Sequence, residues 1–264
     1  MNAIAEIFKY RSLLWFLSVR DWKEQTRRSF FGFFWTLAYP FVLGAVFSFL
    51  FARWFSQPGN SYAPNVLCAL VCWQLFSQTL SSGSSLLAKN REIICKVRFP
   101  TEILFLSHFL FRILQFLIWL VVLEAFLIHW GYPITICLWQ IVPWALLQSM
   151  LAMGLLFLLS PVGLVARDVE QGLGLVLMIW FYATPIVYPL SWVAARFSPT
   201  MFGLYLLNPM VGIVEGFRGA LLGRPGMLHD NHAYMVLLFS QVLFVYAIGY
   251  LFYKKAEPYF AQAA

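Results

Sequence analysis

Residues Ile103–Trp130 read ILFLSHFLFRILQFLIWLVVLEAFLIHW, with Arg112 and Glu124 as the only Lys, Arg, Asp or Glu. At 1.5 Å per residue such a helix crosses the roughly 30 Å hydrocarbon core of a bilayer with turns to spare. Working outward, two apolar runs precede it, Phe33–Phe55 and Ala63–Leu80. Three follow it, Leu138–Val165, Gly172–Leu190 and Tyr234–Tyr253. Alternating barrel strands of about 10 residues are absent, and helices satisfy their own backbone polar groups in lipid. The expectation is an all-α integral membrane protein of six transmembrane helices, residues 1–264 forming one transmembrane domain.

Composition agrees with that expectation. Apolar residues make up 61% of the 264 positions and charged residues 11%, an imbalance no water-soluble fold of this size hides. The net charge of +7 is a topology signal. Lys9, Arg11, Arg20, Lys23, Arg27 and Arg28 precede the first run; Lys89, Arg91, Lys96 and Arg98 lie between the second and third; Arg167 follows the fourth, and Lys254 and Lys255 the sixth. The alternate connections hold only Arg53, Arg196, Arg218 and Arg224. The positive-inside rule then places both termini in the cytoplasm, N-in and C-in. Because the basic residues are spread over separate segments and form no single patch, nucleic acid is not an expected partner.

Residues 3–28 carry both charge and apolar spacing. Ile4, Ile7, Phe8, Trp15, Val19 and Trp22 share one helical face, Glu6, Lys9, Arg20, Lys23, Glu24 and Arg27 another, while Leu13 and Leu17 fall on the polar side. An amphipathic interface helix on the inner leaflet is expected. The short apolar core and small-residue cleavage site of a signal peptide are missing, so none is expected.

Catalytic chemistry is thinly represented. No G-x-x-x-x-G-K-[ST] phosphate loop occurs, so ATP-driven work requires a separate ATPase. Cys68, Cys72, Cys95 and Cys137 form no disulfide or metal framework, and His229 with His232 lacks further ligands. Asp168 and Glu170 are the one close carboxylate pair, where a membrane transferase could place a metal; solvated loop acids are the alternative.

Two groups of residues suggest a path through the bilayer. His108, Arg112, Gln115 and Trp119 share one face of the third run. A charge at that depth must face the bundle interior or a wet path, where it either meets a passing pyrophosphate or sugar or is bonded by neighbouring helices. Aromatic residues reach 19%, more than interface belts need. Trp35, Tyr39 and Phe49 share a face of the first run, and Trp180, Tyr182 and Tyr188 stand in the fifth. Such rings stack on the C–H faces of sugars or, alternatively, pack in the core. Between the fifth and sixth runs, residues 191–233 contain two stretches, Met201–Leu207 and Val211–Leu222, too apolar for free loops and too short to span.

Short motifs recur in a defined order: Arg20-Asp21, Arg27, Phe31-Gly32, Trp35 and Pro40; Lys96-Val97-Arg98-Phe99-Pro100 with Thr101-Glu102; Arg167-Asp168; Thr184-Pro185-Ile186-Val187-Tyr188-Pro189; Asn208-Pro209; Phe217-Arg218. In this order around six spans, the chain resembles the polysaccharide-exporting permeases of the ABC-2 type over almost its whole length. That family carries O-antigen, teichoic acid and capsule chains across the bacterial cytoplasmic membrane. Phe31 stands where the family has Leu, and Thr101 where it has Arg.

The resemblance implies a multi-pass inner-membrane transporter subunit, not an enzyme, with a lipid-linked polysaccharide as cargo. It implies a homodimer with two copies of an ATPase that binds ATP and Mg; no cofactor is expected in this chain, which otherwise meets only membrane lipids and cargo. Residues 86–98 would be the cytoplasmic coupling helix, with Leu87, Ile93 and Ile94 docking in the ATPase and Arg91, Glu92, Lys96 and Arg98 fixing register. Arg20, Asp21, Lys23 and Arg27 of the interface helix would flank the ATPase. Asn208, Pro209, Glu215 and Arg218 would belong to an outer gate of re-entrant helices within 191–233. A permease for a drug or simple lipid, a membrane transferase using Asp168 and Glu170, and a channel subunit without an ATPase are the alternatives.

Overall fold

Long runs of Leu, Phe, Val and Ile with few helix breakers become helices because lipid offers the backbone no other hydrogen-bond partner. A computed structural model of the chain describes residues 10–27, 33–55, 62–96, 99–166, 168–224, 228 and 231–260, and only the backbone of residues 24–27, 33 and 36. Among the described residues there is no β-strand. The helices are α1 (Arg11–Arg27), α2 (Phe33–Phe55), α3 (Tyr62–Gly83), α4 (Leu86–Lys89), α5 (Arg91–Lys96), α6 (Glu102–His129), α7 (Ile141–Val165), α8 (Asp168–Tyr182), α9 (Leu190–Arg196), α10 (Pro199–Tyr205), α11 (Pro209–Leu222) and α12 (His232–Ala256), with 3-10 turns at Ile136–Gln140 and Glu257–Tyr259.

Five of these, α2, α3, α6, α7 with its leading 3-10 turn, and α12, are long and apolar enough to cross a membrane. The bent pair α10 and α11, at 84° to each other, would make a sixth if it counted as one span. The expected fifth run, Gly172–Leu190, departs from the sequence reading: α8 stops at Tyr182. Pro185 lacks an N–H, so the Phe181 carbonyl takes the Thr184 amide at 3.2 Å. The Thr184 hydroxyl then donates to the Trp180 carbonyl at 2.8 Å in place of that amide. The helix therefore closes in one tight turn.

α3 is the buried centre of the bundle, and Cys68 to Val71 are wholly enclosed. Cys72 and Gln148 tie it to α7: the Gln148 amide donates to the Cys72 carbonyl at 2.7 Å. α7 and α12 approach backbone to backbone. A Cβ on Gly249 would fall on the Gly154 carbonyl, and one on Gly154 would reach the Tyr246 backbone, so these two glycines let the backbones touch as small residues do in membrane bundles.

α1 is less detached than its sequence suggests. Leu17, expected on the polar side, is fully buried, and the Ser18 hydroxyl donates to the Ser107 carbonyl of α6 at 3.0 Å. Trp22 meets Phe111 edge-on at 5.9 Å. Trp15 and Phe16 are exposed, so α1 packs one face on α6 and turns a second apolar face outward. Residues 3–9 and 28 of the expected interface helix lie outside the described residues.

Candidate functional site

A cleft of about 390 Å³ opens between α2, α3 and α8. Tyr39 and Phe47 come from α2, and Phe181 and Tyr182 from α8. Phe47 and Phe181 stack at 6.0 Å, and Trp73 of α3 meets Phe181 edge-on at 5.7 Å. The opposite wall is polar, formed by Gln74, Ser77 and Gln78. These three are spaced one helical turn apart or adjacent, so α3 presents a polar stripe to a cleft otherwise lined by rings and by Leu43, Leu177 and Met178. Aromatic faces beside amides and hydroxyls suit a ligand with C–H faces and oxygen atoms.

Behind that wall lies Arg112. Its guanidinium donates to Gln78 Oε1 at 3.0 Å and Gln115 Oε1 at 2.8 Å, and to the Ser82 hydroxyl at 2.7 Å. His108 Nε2 lies 3.2 Å from the Thr79 carbonyl. His108, Arg112, Gln115 and Trp119 are all buried between helices. Of the two readings of this face, bonding by neighbouring helices describes the arrangement: α3 covers the four residues, and Gln78 links Arg112 to the cleft. Of the expected aromatics, Tyr39 and Tyr182 line the cleft. Trp35 and Phe49 are exposed on the same face of α2 as Tyr39 but do not line the cleft, and the Tyr188 hydroxyl donates to the Tyr182 carbonyl at 2.6 Å.

Trp180 leads to the other end of the bundle. Its indole N–H donates to Asn208 Oδ1 at 2.8 Å. The same oxygen caps α11 by accepting from the Met210 amide at 3.0 Å, a placement that Asn followed by Pro favours at a helix start. The Asn208 amide donates to Ala183 O and Thr184 Oγ1, both at 3.1 Å. Pro209 opens the buried helix α11. Within it the buried Arg218 forms an ion pair at 2.6 Å with the partly buried Glu215, and Arg218 also donates to the Asn65 carbonyl at 3.0 Å and the Ile186 carbonyl at 2.8 Å. One guanidinium thus joins α11 to the start of α3 and the turn after α8.

The expected helix 86–98 is two short helices broken at Asn90. Asn90 is buried, and its amide donates to the Leu86 carbonyl at 2.9 Å. Its Oδ1 accepts from Arg20 of α1 at 2.8 Å, and Arg20 pairs with Asp21 at 3.0 Å. Leu87 is fully buried in the core with its amide on Ser160 Oγ at 3.3 Å, which corrects its assignment to a docking face: the break at Asn90 turns α4 inward. Arg91, Glu92 and Lys96 are exposed on α5, and Ile93 and Ile94 half-buried. Arg98, and the side chain of Arg27, lie outside what is described; Lys23 is exposed. Asp168 and Glu170 begin α8, and Glu170 accepts from the Ser85 hydroxyl at 3.5 Å. Among the described residues no group of three or more His, Cys, Asp or Glu could hold a metal.

The sequence model of the ABC-2 type transporter family matches residues 12–222, from α1 to the end of α11. The chain belongs to the ABC-2 type transporter family. Its relatives include the O-antigen export system permease protein RfbA of Myxococcus xanthus, 27% identical over 98% of each chain. A protein of the same name from Klebsiella pneumoniae is 27% identical over 95% of this chain and 94% of its own.

For this ABC-2 membrane subunit, the sequence reading missed two groups. Gln74, Ser77 and Gln78 were hidden in a run read as uniformly apolar, although their spacing marks a polar face. The second is a clasp between the start of α6 and the end of α12. Lys254 pairs with Glu102, and with Glu257 at 2.9 Å; Thr101 donates to Glu257 at 3.0 Å and bonds the Tyr253 hydroxyl. Thr101, noted as a departure from Arg, here anchors the chain directly after Phe99-Pro100.

Proposed function

We propose that this chain is the transmembrane permease subunit of an ATP-driven exporter that moves a lipid-linked polysaccharide across a bacterial cytoplasmic membrane. The observation that carries the reading is the cleft between α2, α3 and α8, where Tyr39, Phe181 and Tyr182 face Gln74, Ser77 and Gln78. Rings that stack on sugar faces, opposite groups that bond hydroxyls, hold many sugars weakly and let them slide. Relatives along nearly the whole chain that are named O-antigen export permeases support the same cargo class.

In this reading the six spans are α2, α3, α6, α7, α12 and, as the fifth, α8 continued by the chain from its end to Leu190, with both termini cytoplasmic as the Lys and Arg distribution requires. The bonds Arg20–Asn90, Ser85–Glu170 and Lys254–Glu102 gather α1, the α4–α5 connection, the start of α8 and the end of α12 at that inner end. α10 and α11 are the re-entrant outer gate, held by Asn208, Pro209, Glu215 and Arg218. On α2, Trp35, Tyr39, Val42, Val46 and Phe49 are exposed along one face, which suits a two-fold dimer with the conduit between protomers. Two ATPase subunits bind ATP and Mg, dock on Ile93 and Ile94 with Arg91, Glu92 and Lys96 around them, and are flanked by α1.

Affinity purification of the tagged chain from its native membrane tests this. Recovery of an ABC ATPase is expected, and recovery of no ATPase under conditions that keep the chain folded would refute the reading. Loss of a surface polymer on deletion separates polysaccharide export from export of a drug or simple lipid.

A further inference from the structure

The amides of the polar wall have only one consistent orientation. Arg112 has donors and no acceptor, so the Gln78 side chain must turn its oxygen to the guanidinium, at 3.0 Å. The Gln78 amide nitrogen is then the group that donates to Gln74 Oε1 at 3.2 Å. With its oxygen engaged, Gln74 keeps its own NH2 to offer to the cleft it lines. A buried charge thus sets the direction of a chain of hydrogen bonds, each polarising the next.

The group is also rich in donors and in positive charge. Arg112 Nε and Gln115 Nε2 are buried without a partner among the described residues. The described partners of the Arg112 guanidinium are neutral oxygens of Gln78, Gln115 and Ser82. Asp21, the acid that acts on it through space, is itself paired with Arg20 at 3.0 Å. A guanidinium whose hydrogen-bond partners are all neutral, in a medium of low dielectric, projects its field further than it would in water. An acceptor-only, anionic group in the cleft accepts from the Gln74 NH2 that lines it and lies in the field of the guanidinium behind Gln78.

We propose that Arg112 acts through Gln78 and Gln74 as a positioning residue, holding a donor wall that grips the phosphoryl oxygens joining lipid to glycan in the cargo. The proposal rests on the export reading and deepens it by naming which part of the cargo this wall recognises. The aromatic rings across the cleft then take the isoprenoid or sugar portions on either side of the phosphoryl group.

The test is binding of tritiated farnesyl diphosphate to the full chain with its ATPase partner in phosphatidylcholine nanodiscs, with farnesol and inorganic pyrophosphate as competitors. Saturable binding is expected, displaced by excess pyrophosphate and at least tenfold less well by farnesol. Gln78→Glu keeps the bond to Arg112 but neutralises its charge and ends the amide chain, and it should raise the half-saturation concentration at least tenfold. Arg112→Lys should give an intermediate shift, a graded response that a purely structural role would not produce while ATPase association stays intact. Unchanged farnesyl diphosphate binding in Gln78→Glu, or equal displacement by farnesol, overturns the proposal. If the wild-type complex exports glycan but binds no farnesyl diphosphate, the donor wall falls and the export reading stands. If it binds the diphosphate but no ATPase or polymer accompanies it, the export reading falls and the donor wall stands.

Discussion

The Trp180 indole N–H donates to Asn208 Oδ1 at 2.8 Å, so α8, which lines the cleft, is tied to the side chain that caps α11. Asn208 uses both its oxygen and its nitrogen across that junction. Asn208→Ala removes the cap of α11, worth about 0.5–2 kcal/mol, and leaves the indole N–H unpaired at a further ~1–3 kcal/mol. Thermal unfolding in detergent should show a clear loss. Asn208→Asp, which keeps the acceptor, should lose less; equal losses in the two variants would argue against the shared-oxygen account.

The Glu215–Arg218 pair joins a buried Arg218 to a partly buried Glu215. Removing one member strands the other, at a cost of roughly 3–5 kcal/mol. Glu215→Leu should therefore destabilise strongly, and Glu215→Leu with Arg218→Met should be less unstable than the sum of the single changes. A double-mutant cycle read by unfolding midpoint checks this, and strict additivity would show that the two do not interact.

Gly154 and Gly249 let α7 and α12 touch. Gly249→Val should force the helices apart against the Gly154 carbonyl and abolish the monodisperse folded peak on size exclusion. Gly172→Val, at a position where a Cβ meets nothing within 4 Å, should leave that peak unchanged.

The split of the 86–98 segment makes a distinction that one continuous helix would not. Ile93→Asp with Ile94→Asp should prevent ATPase co-purification while the membrane chain stays folded. Leu87→Ala should reduce stability, by about 2–5 kcal/mol for a buried leucine, and leave co-purification of the surviving folded fraction intact. If Leu87→Ala alone abolishes ATPase binding in folded protein, Leu87 faces the partner after all.

The long helices were legible because lipid crossing demands length and apolarity, and Ile103–Trp130 has both. What escaped depended on neighbours. The end of α8 depended on Pro185 lacking an N–H and on the Thr184 hydroxyl donating to the Trp180 carbonyl. The inward turn of Leu87 needed the Asn90 bond to Arg20, a contact 70 residues distant. Arg112 was rightly expected to face the interior, but whether it lined a path depended on α3, whose polar stripe was visible in the spacing of Gln74 and Gln78. The Lys254–Glu102 clasp joins residues 152 apart, and no local pattern reports the register of α6 against α12.

The central claim is that this chain and an ATPase together move a lipid-linked polysaccharide across the membrane. Its most direct test is in inverted membrane vesicles carrying both subunits, supplied with lipid-linked glycan on the outer, formerly cytoplasmic, face. ATP should drive the glycan into a compartment protected from added glycosidase, and vesicles lacking this chain should show none. Equal protection with and without the chain, or protection that does not depend on ATP, would contradict the account.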